Sequence, residues 1–112
     1  MTEHGPVSVV TVCGEIDVAT APTLQRRLAA LYESDQLRLV VDLSGVTFCD
    51  SVGVSVLIGA ARALSGRGRV HLVGLRPVLE RLFEVTGIGS VFVIHPGLST
   101  AIDAAGTFVP GR

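Results

Sequence analysis

The 112-residue chain has no Trp, one Tyr and one Met, and all nine of its basic residues are arginine, so Lys is absent altogether. With four Phe as the other aromatics, few rings are available to stack on nucleic-acid bases. Nine basic against ten acidic residues leave a net charge of -1, and no basic run is long enough to track a phosphate backbone. Nucleic acid is therefore not an expected partner. No apolar stretch approaches the roughly 20 residues needed to cross a bilayer. The start, Met1-Thr2-Glu3-His4-Gly5-Pro6, has neither the basic head nor the apolar run of a signal peptide. These absences predict a cytoplasmic protein with no membrane partner. Two cysteines, Cys13 and Cys49, are too few for a disulfide framework or a structural zinc site, so no metal is expected.

What the chain does have is aliphatic bulk. A hydrophobic fraction of 48% and a mean hydropathy of +0.58 exclude disorder and predict a core of Val, Leu, Ile and Ala. The length suits one domain over residues 1–112, with 1–6 and 106–112 expected to be flexible. Val7 to Val12 reads as a strand leaving through Gly14-Glu15-Ile16-Asp17. Thr20 is placed to cap a helix in which Leu24, Leu28 and Leu31 share a face. Leu37 to Leu43 reads as a buried strand, and a second helix after Asp50 carries Leu57, Ala60, Ala61 and Leu64 in one stripe. Val70 to Leu75 is a third strand. Pro77 opens a third helix with Val78, Leu79, Leu82 and Phe83 inward and Gly87 at its stop. Val91 to Ile94 and Ser99 to Ala105 supply a last strand and helix. This alternation predicts an α/β fold with a mainly parallel, or mixed, sheet of about four strands and four helices. In such folds the carboxyl ends of the strands form the usual functional edge, and Asp50-Ser51 falls there.

That segment delivers a hydroxyl to the first turn of a helix, where backbone N–H groups lack helical partners and carry partial positive charge. A phosphate on Ser51 would be favoured by that field, while Asp50 beside it would repel the added charge. The plainer reading is that Ser51 serves as an N-cap. Gly53 would let backbone or a partner approach closely.

The longer pattern resembles a STAS domain of the stand-alone anti-sigma factor antagonist kind. Gly14-Glu15-Ile16-Asp17 is similar to the family's first signature, and Asp42-Leu43-Ser44 through Phe48-Cys49-Asp50-Ser51-Val52-Gly53-Val54 to its second. Val78 to Gly87, with its Leu82-Phe83 pair, is similar to the family's later helix. The resemblance covers nearly the whole chain. It implies a partner switch with no catalysis and no cofactor of its own. The unphosphorylated protein binds an anti-sigma factor that is also a serine kinase, freeing a sigma factor; the kinase phosphorylates Ser51, and a serine phosphatase resets the cycle. The implied binding residues are Gly14, Glu15, Asp17, Asp50, Ser51, Val52, Gly53 and Val54, in a monomer or weak dimer. Val52 stands where the family often has a second Ser, and Val54 where it often has Leu. The N-terminus is short for a full first strand.

Other readings meet specific obstacles. A hydrolase elbow needs Gly two residues before the Ser, and Cys49 stands there; the candidate bases would be His4, His71 and His95. A receiver-type phosphoaspartate at Asp50 would need a nearby Lys, and there is none. Cys13 and Cys49 could lock the loop as a disulfide if their Cα atoms lie within about 7 Å; otherwise they are small buried hydrophobes. STAS domains also serve as constitutive interaction modules in stress-sensing assemblies, lipid-transport ABC systems and anion transporters, and that alternative stays open.

Overall fold

The structure, a computed structural model, describes residues 2–4, 7–33 and 38–107. Five strands form one sheet in sequential order: β1 (Thr2–His4), β2 (Val7–Ile16), β3 (Arg38–Cys49), β4 (Arg69–Val73) and β5 (Val93–His95). β2 to β5 pair in parallel, and the short β1 runs antiparallel to β2. The expected parallel strands are thus present, with an added antiparallel edge. Thr2–His4 pair along the outer edge of β2. Met1, Gly5, Pro6 and residues 108–112 lie outside the described residues, whereas Gly106 belongs to the last helix.

Four helices connect and cover the sheet: α1 (Ala21–Glu33), α2 (Ser51–Ala63), α3 (Pro77–Thr86) and α4 (Leu98–Thr107). The first three cover one face. There Leu24, Leu28 and Leu31 of α1, Leu57, Ala60 and Leu64 at α2, and Leu79 and Phe83 of α3 join Val10, Leu39, Val41, Leu43, Val70 and Leu72 in one core. The α4 side chains Ala101 and Ala105 close the other face over Val7, Val9, Val40 and Val73. Arg38 ties that helix down by donating from Nη1 to the Gly106 carbonyl at 3.0 Å.

Three expectations are corrected. β3 does not end at Leu43 but continues to Cys49 beside β2. Gly45 serves as a strand residue there because Cys13 Sγ lies 2.8 Å from where its Cβ would be. On α3, only Leu79 and Phe83 are buried, while Val78 is 85% exposed and Leu82 39%. An apolar set at i, i+1, i+4 and i+5 spans more of a helix than this sheet covers. Val91 belongs to a 3₁₀ turn, Ile88–Val91, and the strand starts at Val93.

Candidate functional site

β2 and β3 end side by side, with Ile16 opposite Cys49. The Asp50 N–H donates to the Ile16 carbonyl at 3.1 Å, joining the two signature segments through the backbone. Asp50 then takes an extended conformation (φ -94°, ψ -174°), and its Oδ1 accepts from the amides of Val52 at 2.9 Å and Gly53 at 3.1 Å. Asp50, not Ser51, is the N-cap of α2. Ser51 is the first helical residue and is exposed; its carbonyl accepts from Ser55 Oγ at 2.9 Å. Its hydroxyl makes no hydrogen bond to any described residue.

Gly53 is buried, and a methyl on it would sit 2.6 Å from Ile16 Cγ2 and 2.7 Å from Cys49 Sγ. The close approach foreseen at this glycine is therefore internal, pressing α2 onto the sheet. Val54, 6% exposed, also faces the core. Of the residues expected to meet a partner, these two act from beneath; Ser51 and Val52 are exposed above them. Cys49 is half-buried, and burial, aided by the Asp50 charge, raises its thiol pKa.

The Gly14–Asp17 segment folds beside this loop. Gly14 holds φ +83°, a left-handed conformation that a side chain would strain. Glu15 is exposed and pairs in register with Phe48. Asp17 Oδ1 accepts from the amides of Ala19 at 2.9 Å and Thr20 at 3.0 Å. The Thr20 amide in particular holds the Asp17 carboxyl below its ordinary 3.8. Thr20 Oγ1 accepts from the Asp17 N–H at 2.9 Å and donates to the Glu15 carbonyl at 2.8 Å. The hydroxyl expected to cap α1 therefore closes the preceding turn. Two exposed apolar residues border these segments and escaped the sequence reading: Val18, 73% exposed, and Phe48, 52% exposed.

The rival chemistries do not assemble. Cys13 lies opposite Gly45, four residues before Cys49 on β3, a separation of about 13 Å along the strand at ~3.3 Å per residue. That exceeds the reach of a disulfide, and both thiols are free. His71 does not face solvent but is buried on the α4 side of the sheet, its Nδ1 2.9 Å from His95 Nε2. Burial, with the charges of His95 and Arg69, lowers its pKa to about 4. The two candidate bases are thus committed to each other. Among the described residues no helix is long and apolar enough to cross a membrane, and no cluster of three or more His, Cys, Asp or Glu could hold a metal ion.

A sequential, mainly parallel sheet with three helices on one face and an Asp-Ser turn opening its second helix defines a class, and the match is direct. The chain belongs to the STAS domain family, whose pattern covers residues 1–101. An anti-sigma-B factor antagonist of Listeria monocytogenes is 37% identical over 86 residues, spanning 76% of this chain and 75% of that protein. The crystal structure of an anti-sigma factor antagonist from Mycobacterium paratuberculosis superimposes with a TM-score of 0.84 at 36% identity, covering 94% of this chain and 90% of that one. The unphosphorylated anti-sigma factor antagonist SpoIIAA shares the fold, with a TM-score of 0.78 at 18% identity over 96% of each chain.

Proposed function

We propose that this STAS protein is an anti-sigma factor antagonist switched by phosphorylation at Ser51. In this reading the unphosphorylated form is a cytoplasmic binding module, monomeric or weakly dimeric. It engages an anti-sigma factor that is also a serine kinase, and a sigma factor is released. Phosphate transfer from the kinase's ATP to Ser51 ends the complex, and a serine phosphatase restores it. The antagonist contributes a surface and an acceptor hydroxyl, and no catalytic group.

The observation that carries the reading is the division of labour between Asp50 and Ser51. Asp50 occupies the amides of Val52 and Gly53, and Ser51 keeps an exposed hydroxyl. A phosphate on that hydroxyl gains close to two negative charges and finds those two donors already taken, beside a carboxylate. It is therefore presented to the partner and not absorbed by the fold. Val18, Phe48 and Val52 supply exposed apolar area around it, a composition suited to protein contact. Uncompensated charge at such an interface costs several kcal/mol, and each 1.4 kcal/mol is about tenfold in affinity. Relatives with the antagonist name support the pathway.

The test is capture from the source organism with wild type, Ser51→Ala and Ser51→Asp as baits. Wild type and the Ala variant should retain one ATP-binding kinase, and the Asp variant should lose it. Equal capture by all three would make the protein a constitutive STAS module.

A further inference from the structure

α2 joins two ends of opposite charge. Its first turn stands beside Glu15, Asp17 and Asp50, whereas Arg62, Arg67 and Arg69 gather at its other end. Arg62 lies about 17 Å along the helix axis from Ser51, at ~1.5 Å per residue. There the end of α2, the turn after it, the start of β4 and the 3₁₀ turn enclose a groove of about 330 Å³. Arg62, Ser65, Gly66, Gly68, Arg69 and Ser90 line it, with no carboxylate of a described residue among them. Glu80 and Glu84 belong to a neighbouring groove that shares only Ser90 with this one.

The three arginines at this end are not equivalent. Arg67 donates from Nη2 to the Ala63 carbonyl at 3.0 Å, which places its charge on the negative end of the α2 dipole. The guanidinium groups of Arg62 and Arg69 are exposed and make no ion pair or hydrogen bond to any described residue. The Ser65 hydroxyl and the Gly66 amide, both on the groove, also have no partner among the described residues. Two like charges lining one concavity oppose each other, and the donors beside them lack an acceptor. An oxyanion answers both conditions, because it brings negative charge and lone pairs together. The donors come from a helix, a turn and a strand, so they approach from several directions. That favours a tetrahedral phosphate, with acceptors on all sides, over a planar carboxylate. No aromatic ring lines the groove, so a nucleotide base would find nothing to stack on.

We infer that this groove binds a small phosphate anion, orthophosphate or diphosphate, through Arg62 and Arg69. Arg67 offsets the helix end that would otherwise repel the anion, and the Ser65–Gly66 turn adds neutral donors. The site lies at the far end of α2 from Ser51 and stands independently of the proposed switch.

The experiment is an NMR titration of the full chain with sodium diphosphate, observing backbone amides and arginine Nε–H groups at constant ionic strength. The signals of Arg62, Ser65, Gly66 and Arg69 should shift together and saturate with one Kd of about 1 mM, the weak end of specific binding. The amides of Val52 and Gly53 should stay still. Orthophosphate should move the same signals in the same directions. Arg62→Gln and Arg69→Gln, both exposed changes, should each weaken binding about tenfold, the scale of one hydrogen bond to a charged group. Arg62→Lys should fall between wild type and Gln, and Arg27→Gln, on the exposed side of α1, should change nothing. Shifts that sodium chloride reproduces, that fail to saturate, or that survive both Gln changes would overturn the inference. Shifts confined to the first turn of α2 would overturn it in favour of a phosphate site at the Ser51 end.

Discussion

Two turns at the carboxyl end of the sheet begin with the same chemistry. After β2, Asp17 accepts from the amides of Ala19 and Thr20; after β3, Asp50 accepts from those of Val52 and Gly53. They differ in where the hydroxyl falls. In the first turn it comes three residues after the aspartate, and Thr20 Oγ1 folds back between the Asp17 amide and the Glu15 carbonyl. In the second it follows the aspartate directly, on the first helical residue, where it is exposed and makes no hydrogen bond to any described residue. The same cap chemistry thus ties one hydroxyl into a local network and leaves the other exposed. An exposed, unbonded serine hydroxyl here is made by position relative to the cap.

The turns also differ in what lies beneath them, and the largest predicted effect tests that difference. A methyl on Gly53 would meet Ile16 and Cys49 at 2.7 Å or less. Gly53→Val should therefore lift the start of α2 and cost about 3 kcal/mol, the upper range for overpacking. Urea unfolding measures it. A cost below that of an exposed glycine change, such as Gly59→Val on the outer face of α2, would mean that α2 is not held by this contact.

The second effect separates the turns from the rest of the molecule. His71 is buried with a pKa lowered to about 4 from 6.5, first by desolvation. Between those values the unfolded chain binds a proton that the folded one does not, so stability is present above pH 6.5 and is lost as pH falls toward 4. The slope should approach 1.4 kcal/mol per pH unit at most, roughly one proton's worth. His95 on β5, hydrogen-bonded to His71, Asp42 and Arg38 on β3, Arg69 on β4 and Asp103 on α4 are the other ionisable groups along that side, and none alone replaces the buried imidazole. Stability curves for wild type and His71→Leu should diverge in this window. An equally steep fall in the variant would assign the acid sensitivity elsewhere, to the turns included.

The third effect compares the caps directly. Asp50→Ala removes two amide partners from the start of α2 and should cost about 1 kcal/mol, the usual value of an N-cap. Asp50→Asn, which keeps an accepting oxygen, should recover most of it. Amide exchange at Val52 and Gly53 reports the loss locally. If Asp50→Ala and Asp50→Asn are equally stable, the helix start does not depend on the cap, and the distinction between Asp50 and Ser51 loses its basis.

Sequence reasoning reached the mainly parallel α/β architecture and the placement of Asp50-Ser51 because both follow from periodicity and from strand-helix alternation. It did not reach the cap assignment. Asp50 and Ser51 are both strong N-cap residues, and only the extended backbone of Asp50 decides between them. Thr20 misled for a related reason: Asp17, three residues earlier, competes for the same amides. The strand reads as ending at Leu43, short of Gly45, because a strand glycine makes sense only when its cross-strand neighbour, Cys13, is known. The orientation of His71 needed the register of β4 against β5, which no residue of the strand declares by itself. Each miss concerns a choice between locally equal options that tertiary contacts settle.

The smallest predicted effect returns to the first turn. The amides of Thr20 and Ala19 stabilise the Asp17 carboxylate, so its folded pKa lies below the ordinary 3.8. The sign follows: the turn's contribution is present above the unfolded value and fades as pH falls through the lower, folded one. The hydrogen bonds of this turn lie at the surface, which keeps the effect on global stability slight, but the amide shifts of Ala19 and Thr20 should titrate together with a midpoint under 3.8. Asp17→Asn retains an acceptor oxygen and should hold the turn while flattening both curves. A midpoint at or above 3.8 would mean that the two amides do not grip the carboxylate in solution. Thr20 would then be freer than its hydrogen bonds to Asp17 and Glu15 imply, and the contrast with Ser51 would shrink to a difference in sequence position alone.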